Sequence, residues 1–317
     1  MHNYLKNKSA WLQLVIFGGL TFGITFAGSF LGLSIVAALN HINLNDLTNF
    51  KPDDYAKPQY AGLVRGLLVV QFFAIFLLPS LVFAYLADPR PLQFAGFKKP
   101  DRSSFILLGI IIIFCSYLMV AYLGVLNEKF VHHFLGKSAQ QWVEKAESDA
   151  TGTMQNILTM NNTKDLLVSI FLVGVLAAIG EELFFRGILQ RIFIQVFKNP
   201  WWGIVVTAAI FSAVHGQFLG FIPRMILGIV LGALYWYSGS LWTSIIGHFI
   251  FNTLQIILVY VKAADVSQQN DGNDKFLPGV SIIAGIVVIA LLNYLRKRSL
   301  TTYSQVYRTE INDGFLE

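Results

Sequence analysis

The chain has little charge and almost no cysteine. Only 13% of its 317 residues are Asp, Glu, Lys or Arg, while 55% are hydrophobic, a balance that excludes an ordinary soluble domain of this length. The single cysteine, Cys115, lies inside an apolar run. It excludes an internal disulfide and a cysteine-rich metal site, and reads as a small packing or lipid-facing residue. There is no His-Glu-x-x-His helix of the kind that holds catalytic zinc. No Pro-, Gly- or Ser-rich linker and no fixed-period repeat divides the chain, so a single polytopic membrane domain over 1–298 is expected, followed by a polar tail at 299–317. The net charge of +5 comes mostly from basic residues beside apolar runs. It argues for orientation in a bilayer and gives no case for nucleic acid.

What is present in abundance is long apolar sequence. About eight runs are near the roughly 20 residues needed to span hydrocarbon, so the expected fold is an all-α integral membrane protein. They fall approximately at 11–39, 67–86, 105–126, 166–192, 203–218, 221–237, 241–261 and 280–295. The first follows Lys6 and Lys8, but it is too long for a signal peptide and lacks a small-x-small cleavage site, so it reads as a retained helix. Arg90, Lys98, Lys99, Arg102, Arg191, Lys198 and the Arg296-Lys297-Arg298 cluster fall on one side, which places both termini in the cytoplasm by the positive-inside rule. The longest outer connection, Asn127 to Asp165, is polar, and its His132 and His133 read as solvated surface. Glycines four apart, Gly19/Gly23, Gly28/Gly32 and Gly228/Gly232, predict close helix approach. Trp201 and Trp202 beside Pro200 mark a turn at the water interface.

Against that background a few polar groups stand out. Glu181 and Glu182 end an apolar run, where acidic groups are costly and are usually paired or functional. Glu182 and Arg186 are four apart and share a helix face, so they are expected to pair. Glu181 is offset by roughly 100° and stays without a same-helix cation. His215 follows in Phe211-Ser-Ala-Val-His215, and His248 with Asn252 presents an imidazole and an amide on one face. Counted at about 1.5 Å per residue from the turn near 198–200, Glu181 and His215 reach similar depth, whereas His248 falls nearer the cytoplasmic face unless a helix tilts or breaks.

Glu181-Glu182-Leu-Phe-Phe-Arg186, Phe211-x-x-x-His215 and His248-x-x-x-Asn252 resemble, in order and spacing, the motifs of the CAAX protease and bacteriocin-processing (Abi) family. The intervening Gly228-x-x-x-Gly232, Leu234-Tyr235 and Ser238-Gly239-Ser240-Leu241 look similar as well. The resemblance covers about residues 165–260. It implies an eight-helix intramembrane endopeptidase with a polar cavity, related to the Ras-converting CAAX endopeptidases, and a place in a bacterial cell membrane. It further implies Glu181 as general base, His215 orienting the attacking water, His248 and Asn252 as oxyanion donors, and Glu182 with Arg186 in support. The expected substrate is a prenylated or leader-type peptide, met among membrane lipids, and no cofactor is required. Two alternatives stay open. One is zinc held by Glu181, His215 and His248, although Asn is a poor zinc ligand; the other is a non-enzymatic chaperone, transport or bacteriocin-immunity protein using the same cavity.

Overall fold

The computed structural model describes residues 4–5, 8–47, 50–261 and 276–307. Lys6 and the tail from residue 308 onward lie outside the described residues. Among the described residues the chain is helical, with no strand. Among the described residues, seven helices are long and apolar enough to cross a membrane. They are α1 (Ala10–Leu39), α2 (Pro58–Ala87), α3 (Ser104–Phe134), α5 (Thr163–Phe197), α7 (Phe221–Ser238), α8 (Leu241–Tyr260) and α9 (Leu277–Arg298). The shorter apolar α6 (Pro200–Ala213) stands between α5 and α7 and completes the set of about eight. The chain is a multi-pass membrane protein. Its outermost helices show why: Phe22, Phe26 and Phe30 on α1 and Ile282, Ile286 and Ile289 on α9 are exposed, an arrangement suited to lipid and costly in water.

Local chemistry sets the ends of these helices. Asn162 accepts hydrogen bonds from the Lys164 and Asp165 N–H groups to cap α5, and Asp165 adds a negative charge in the first turn. At the other end of α5, Lys198 turns left-handed at φ 52°. Asn199 then caps α6, accepting from Trp201 N–H at 2.8 Å, with Pro200 in the first helical position. Gly239, at φ 66°, closes α7 where a side chain would be strained.

Two features depart from the sequence reading. The connection after Asn127 is not an irregular polar loop, because α3 runs on to Phe134 and α4 (Lys137–Ile157) follows as an amphipathic helix. His132 there is exposed, with only loose approaches of 3.9 Å to Glu128 and Glu144. Of the α1 glycines, Gly28 and Gly32 press on Ala74 and Val70 of α2, whereas Gly19 and Gly23 have nothing near them. The spacing is a contact device only where a partner helix lies opposite.

Two apolar clusters hold the bundle. One joins Phe17, Phe83, Leu183, Phe185 and Ile188 of α1, α2 and α5 with Phe211 of α6. The other joins Ile112 and Ile113 of α3, Leu231 and Leu234 of α7, and Val288 and Leu295 of α9. Tyr307, near the start of the sequence's polar tail, is buried in the second cluster. Helix α5 lies at the centre and is irregular. It is π-helical over Ile170–Leu176 and again over Glu182–Gln190, where each N–H reaches five residues back and more residues fit into each turn.

Candidate active site

The second π-helical stretch carries the acidic motif. Glu182 is fully buried, and its Oε1 accepts from Arg186 Nη1 at 2.8 Å. Arg186, 1% exposed, also donates through Nη2 to the Gly228 carbonyl at 3.2 Å and lies 4.5 Å above the Phe211 ring. Removing this charge from water is offset by the carboxylate, the carbonyl and the aromatic face together. One turn on, Gln190 Nε2 repeats the device by donating to the Gly232 carbonyl at 3.1 Å. A Cβ on Gly232 would come 2.6 Å from Gln190 Oε1, and one on Gly228 would press on Ala208 at 3.0 Å. The glycine pair on α7 therefore admits polar side chains from α5 as well as α6.

His248, buried on α8, faces both glutamates. Its Nδ1 lies 2.8 Å from Glu182 Oε1, and its Nε2 lies 3.9 Å from Glu181 Oε2. Ionised by its Arg186 pair, Glu182 can only accept, so Nδ1 carries the proton and donates. The ring's other nitrogen is thereby aimed at Glu181 across a gap that a water could bridge. Among the described residues Glu181 accepts no hydrogen bond, and its side chain is 12% exposed. The depth count placed His248 too near the cytoplasmic face. The 2.8 Å contact sets His248 level with Glu182, and the π-helical segment accounts for only a small part of the offset, since nine residues at a shorter rise advance only a little less along the axis.

His215 and Asn252 are less tightly joined to this centre. His215 follows the end of α6 and is exposed; its Nδ1 donates to the Phe211 carbonyl at 2.7 Å, leaving Nε2 available. The Phe211 ring lies between the two imidazoles, with centroids 5.1 Å from His215 and 6.0 Å from His248. Asn252, half-buried, donates to the Val173 carbonyl at 2.9 Å, inside the first π-helical stretch of α5. No hydrogen bond or ion pair among the described residues joins either side chain to Glu181. Among the described residues no three His, Cys, Asp or Glu side chains are grouped as a metal would require, so Glu181, His215 and His248 are not assembled as a zinc set.

Several contributors escaped the sequence reading. Phe211 was visible only as the start of a motif, yet its ring touches Phe185, Arg186, His215 and His248. Asn127, buried on α3, donates to the Phe218 and Leu219 carbonyls at 2.7 and 2.6 Å. Glu147 on α4 accepts from the Leu219 N–H at 2.8 Å. Both pin the loop that follows His215 from more than 65 residues away, a separation that no local pattern signals. Gln190 did have a signal, standing four after Arg186 just as Gly232 stands four after Gly228.

Fold and centre together define a class: a multi-pass helical membrane protein whose core buries a glutamate–arginine–histidine cluster beside a second glutamate that accepts no hydrogen bond. Residues 163–254 match the family model described as type II CAAX prenyl endopeptidase Rce1-like. The matched stretch begins at the capped start of α5 and ends two residues after Asn252 on α8, so it contains all three motifs. Neither a curated protein nor a solved structure matches the chain.

Proposed function

We propose that this protein is an intramembrane endopeptidase in which Glu181 activates water to hydrolyse a peptide bond of a prenylated or leader-type peptide. The observation that carries the reading is the unequal treatment of two adjacent carboxylates. Glu182 is held by Arg186 and His248, both on Oε1, while Glu181 has no hydrogen bond and faces His248 Nε2. Neighbouring acids in contrasting surroundings are how one site separates a base from a fixed charge. Glu181 takes a proton from water, and the oxygen adds to the carbonyl carbon. His248, fixed through Nδ1, donates from Nε2 to the oxyanion when it is protonated, and the second amide N–H of Asn252 serves the same purpose. The C–N bond then breaks, with the proton passing from Glu181 to the leaving amine. His215 Nε2 helps orient the water from across Phe211. The scheme needs no metal.

The same reading takes both termini to be cytoplasmic and the membrane to be that of a bacterial cell. Reporter fusions after Asn40, Arg102, Asn162 and Arg298 should alternate outside, inside, outside, inside, and a cytoplasmic Asn162 fusion would invert the topology. Function is tested by incubating the purified protein with prenylated tetrapeptide-tailed and leader peptides after exhaustive chelation. Cleavage that survives chelation supports glutamate-activated water; loss restored by added zinc overturns it, and binding without cleavage removes the enzymatic reading altogether.

A further inference from the structure

At the end of the bundle where α2 and α9 finish and α3 begins, a second group of charges takes no part in the scheme above. A cavity of about 440 Å³ lies there, and Arg90, Lys98 and Arg191 line it together with Asp88, Asp101 and Thr301. Arg90 and Lys98 stand on the connection between α2 and α3, on either side of a single helical turn at Pro91–Phe94. Arg191 comes from α5, directly after its second π-helical stretch. Its guanidinium lies 4.3 Å from the centre of the Phe94 ring and 5.2 Å from that of Tyr307, so two aromatic faces fix it in place.

The two carboxylates of the cavity are committed elsewhere. Asp88 Oδ1 accepts from the Arg90 N–H at 2.8 Å, and Asp101 Oδ2 accepts from the Leu300 N–H at 3.3 Å and the Thr301 hydroxyl at 3.4 Å. Among the described residues neither aspartate makes an ion pair, and the exposed side chains of Arg90 and Lys98 make no hydrogen bond or ion pair. Three cations against two committed carboxylates leave the cavity net positive, the sign that receives an anion. Its walls also stand where the apolar spans stop, since α2 ends at Ala87, α3 begins at Ser104 and α9 ends at Arg298. The connection is tied to α8 through the Leu241 N–H, which donates to the Gly96 carbonyl at 2.8 Å, and beside it Phe97 meets the exposed Trp242 ring at 5.4 Å. An indole at the end of a span marks the membrane–water boundary. Phe94 and Leu300 add apolar wall next to the charges.

We infer that this cavity is a phosphate-binding site, in which Arg90, Lys98 and Arg191 receive a phosphoryl anion, the chemistry shared by an anionic lipid headgroup and dissolved phosphate. Guanidinium forks match phosphate oxygens, and the lysine adds a point charge. Basic cavities between helix ends at this depth are suited to headgroups, and the apolar wall favours the lipid as the source. The inference is independent of the peptidase reading.

The test uses the full-length protein in a neutral detergent. Bound lipid is counted by native mass spectrometry as phosphatidylglycerol or phosphatidylcholine is titrated in, and inorganic phosphate is titrated separately with thermal unfolding as the readout. Phosphatidylglycerol should bind about 10-fold more tightly than phosphatidylcholine. Arg90→Gln with Lys98→Gln should lower that affinity by roughly 25-fold, about 5-fold for each basic side chain removed, and leave lipid-free unfolding unchanged because both residues are exposed. Arg191 is kept, since its packing between two rings serves the fold as well. Lys99→Gln with Arg102→Gln removes the same charge from the same connection outside the cavity and should cost little affinity. Equal losses in the two double variants would show diffuse surface attraction and overturn the site, as would equal binding of the two lipids or no binding of either lipid or phosphate. Protection by inorganic phosphate that Arg90→Gln with Lys98→Gln abolishes would uphold the site with a dissolved anion as its source. Phosphatidylglycerol binding without protection by phosphate would uphold it with the headgroup as its source.

Discussion

On the Glu182 side of the Phe211 ring, the named polar side chains hold one another: Glu182 Oε1 has Arg186 and His248, Arg186 also has the Gly228 carbonyl, and Gln190 has the Gly232 carbonyl, with Glu182 Oε2 the one atom of the group left without a partner. On the side of the His215 loop the accounts are open. His215 keeps Nε2 available, Arg224 Nη1 is unpaired and Glu181 has no hydrogen bond. Both sides use the same residue types in the same bundle. The difference shows that a charge inside a membrane protein is no mark of chemistry by itself; what matters is which charges the fold leaves unsatisfied.

That contrast predicts distinct failures. Glu182→Gln should chiefly damage the fold, because it strands Arg186 as a buried cation; a loss of about 3–5 kcal/mol is expected, read as a collapsed unfolding transition in detergent. A stable Glu182→Gln protein would mean that the Glu182 side is not the framework. His248→Ala touches both sides and should lower turnover on the order of 10²- to 10³-fold in the peptide assay, as for a lost oxyanion donor. Unchanged turnover would confine His248 to holding Glu182. Gly232→Ala should be milder, about 1–3 kcal/mol by thermal unfolding, since the new methyl must displace Gln190 from its carbonyl. The companion Gly19→Ala, facing open space, should leave stability within about 0.5 kcal/mol.

Much of this organisation was legible in the sequence. Apolar run lengths gave the spans, Asn199-Pro200 and Ser238-Gly239 gave the turns, and the four-residue spacing of Glu182 and Arg186 gave their ion pair. The π-helical stretches were not legible: Ile170–Leu176 is apolar on all sides and carries no phase, and the four-residue spacing of Glu182, Arg186 and Gln190 reads as an ordinary α-helical face. Residue counts from two separate turns also carry no information on how the two helices are offset, which is why His248 was counted to the wrong depth. The amphipathic α4 was passed over because polar residues between spans read as loop unless their periodicity is checked. Asn127 and Glu147 reach the His215 loop only through tertiary contact, which no local spacing encodes.

The central claim is that adjacent glutamates divide the work, Glu182 building the site and Glu181 performing the chemistry. It is tested most directly by Glu181→Gln, assayed for peptide turnover and thermal unfolding on the same preparation. The account predicts turnover reduced by roughly 10² to 10⁴, the usual cost of a lost general base, with the unfolding transition nearly unmoved. Near-normal cleavage by a folded Glu181→Gln protein would contradict it.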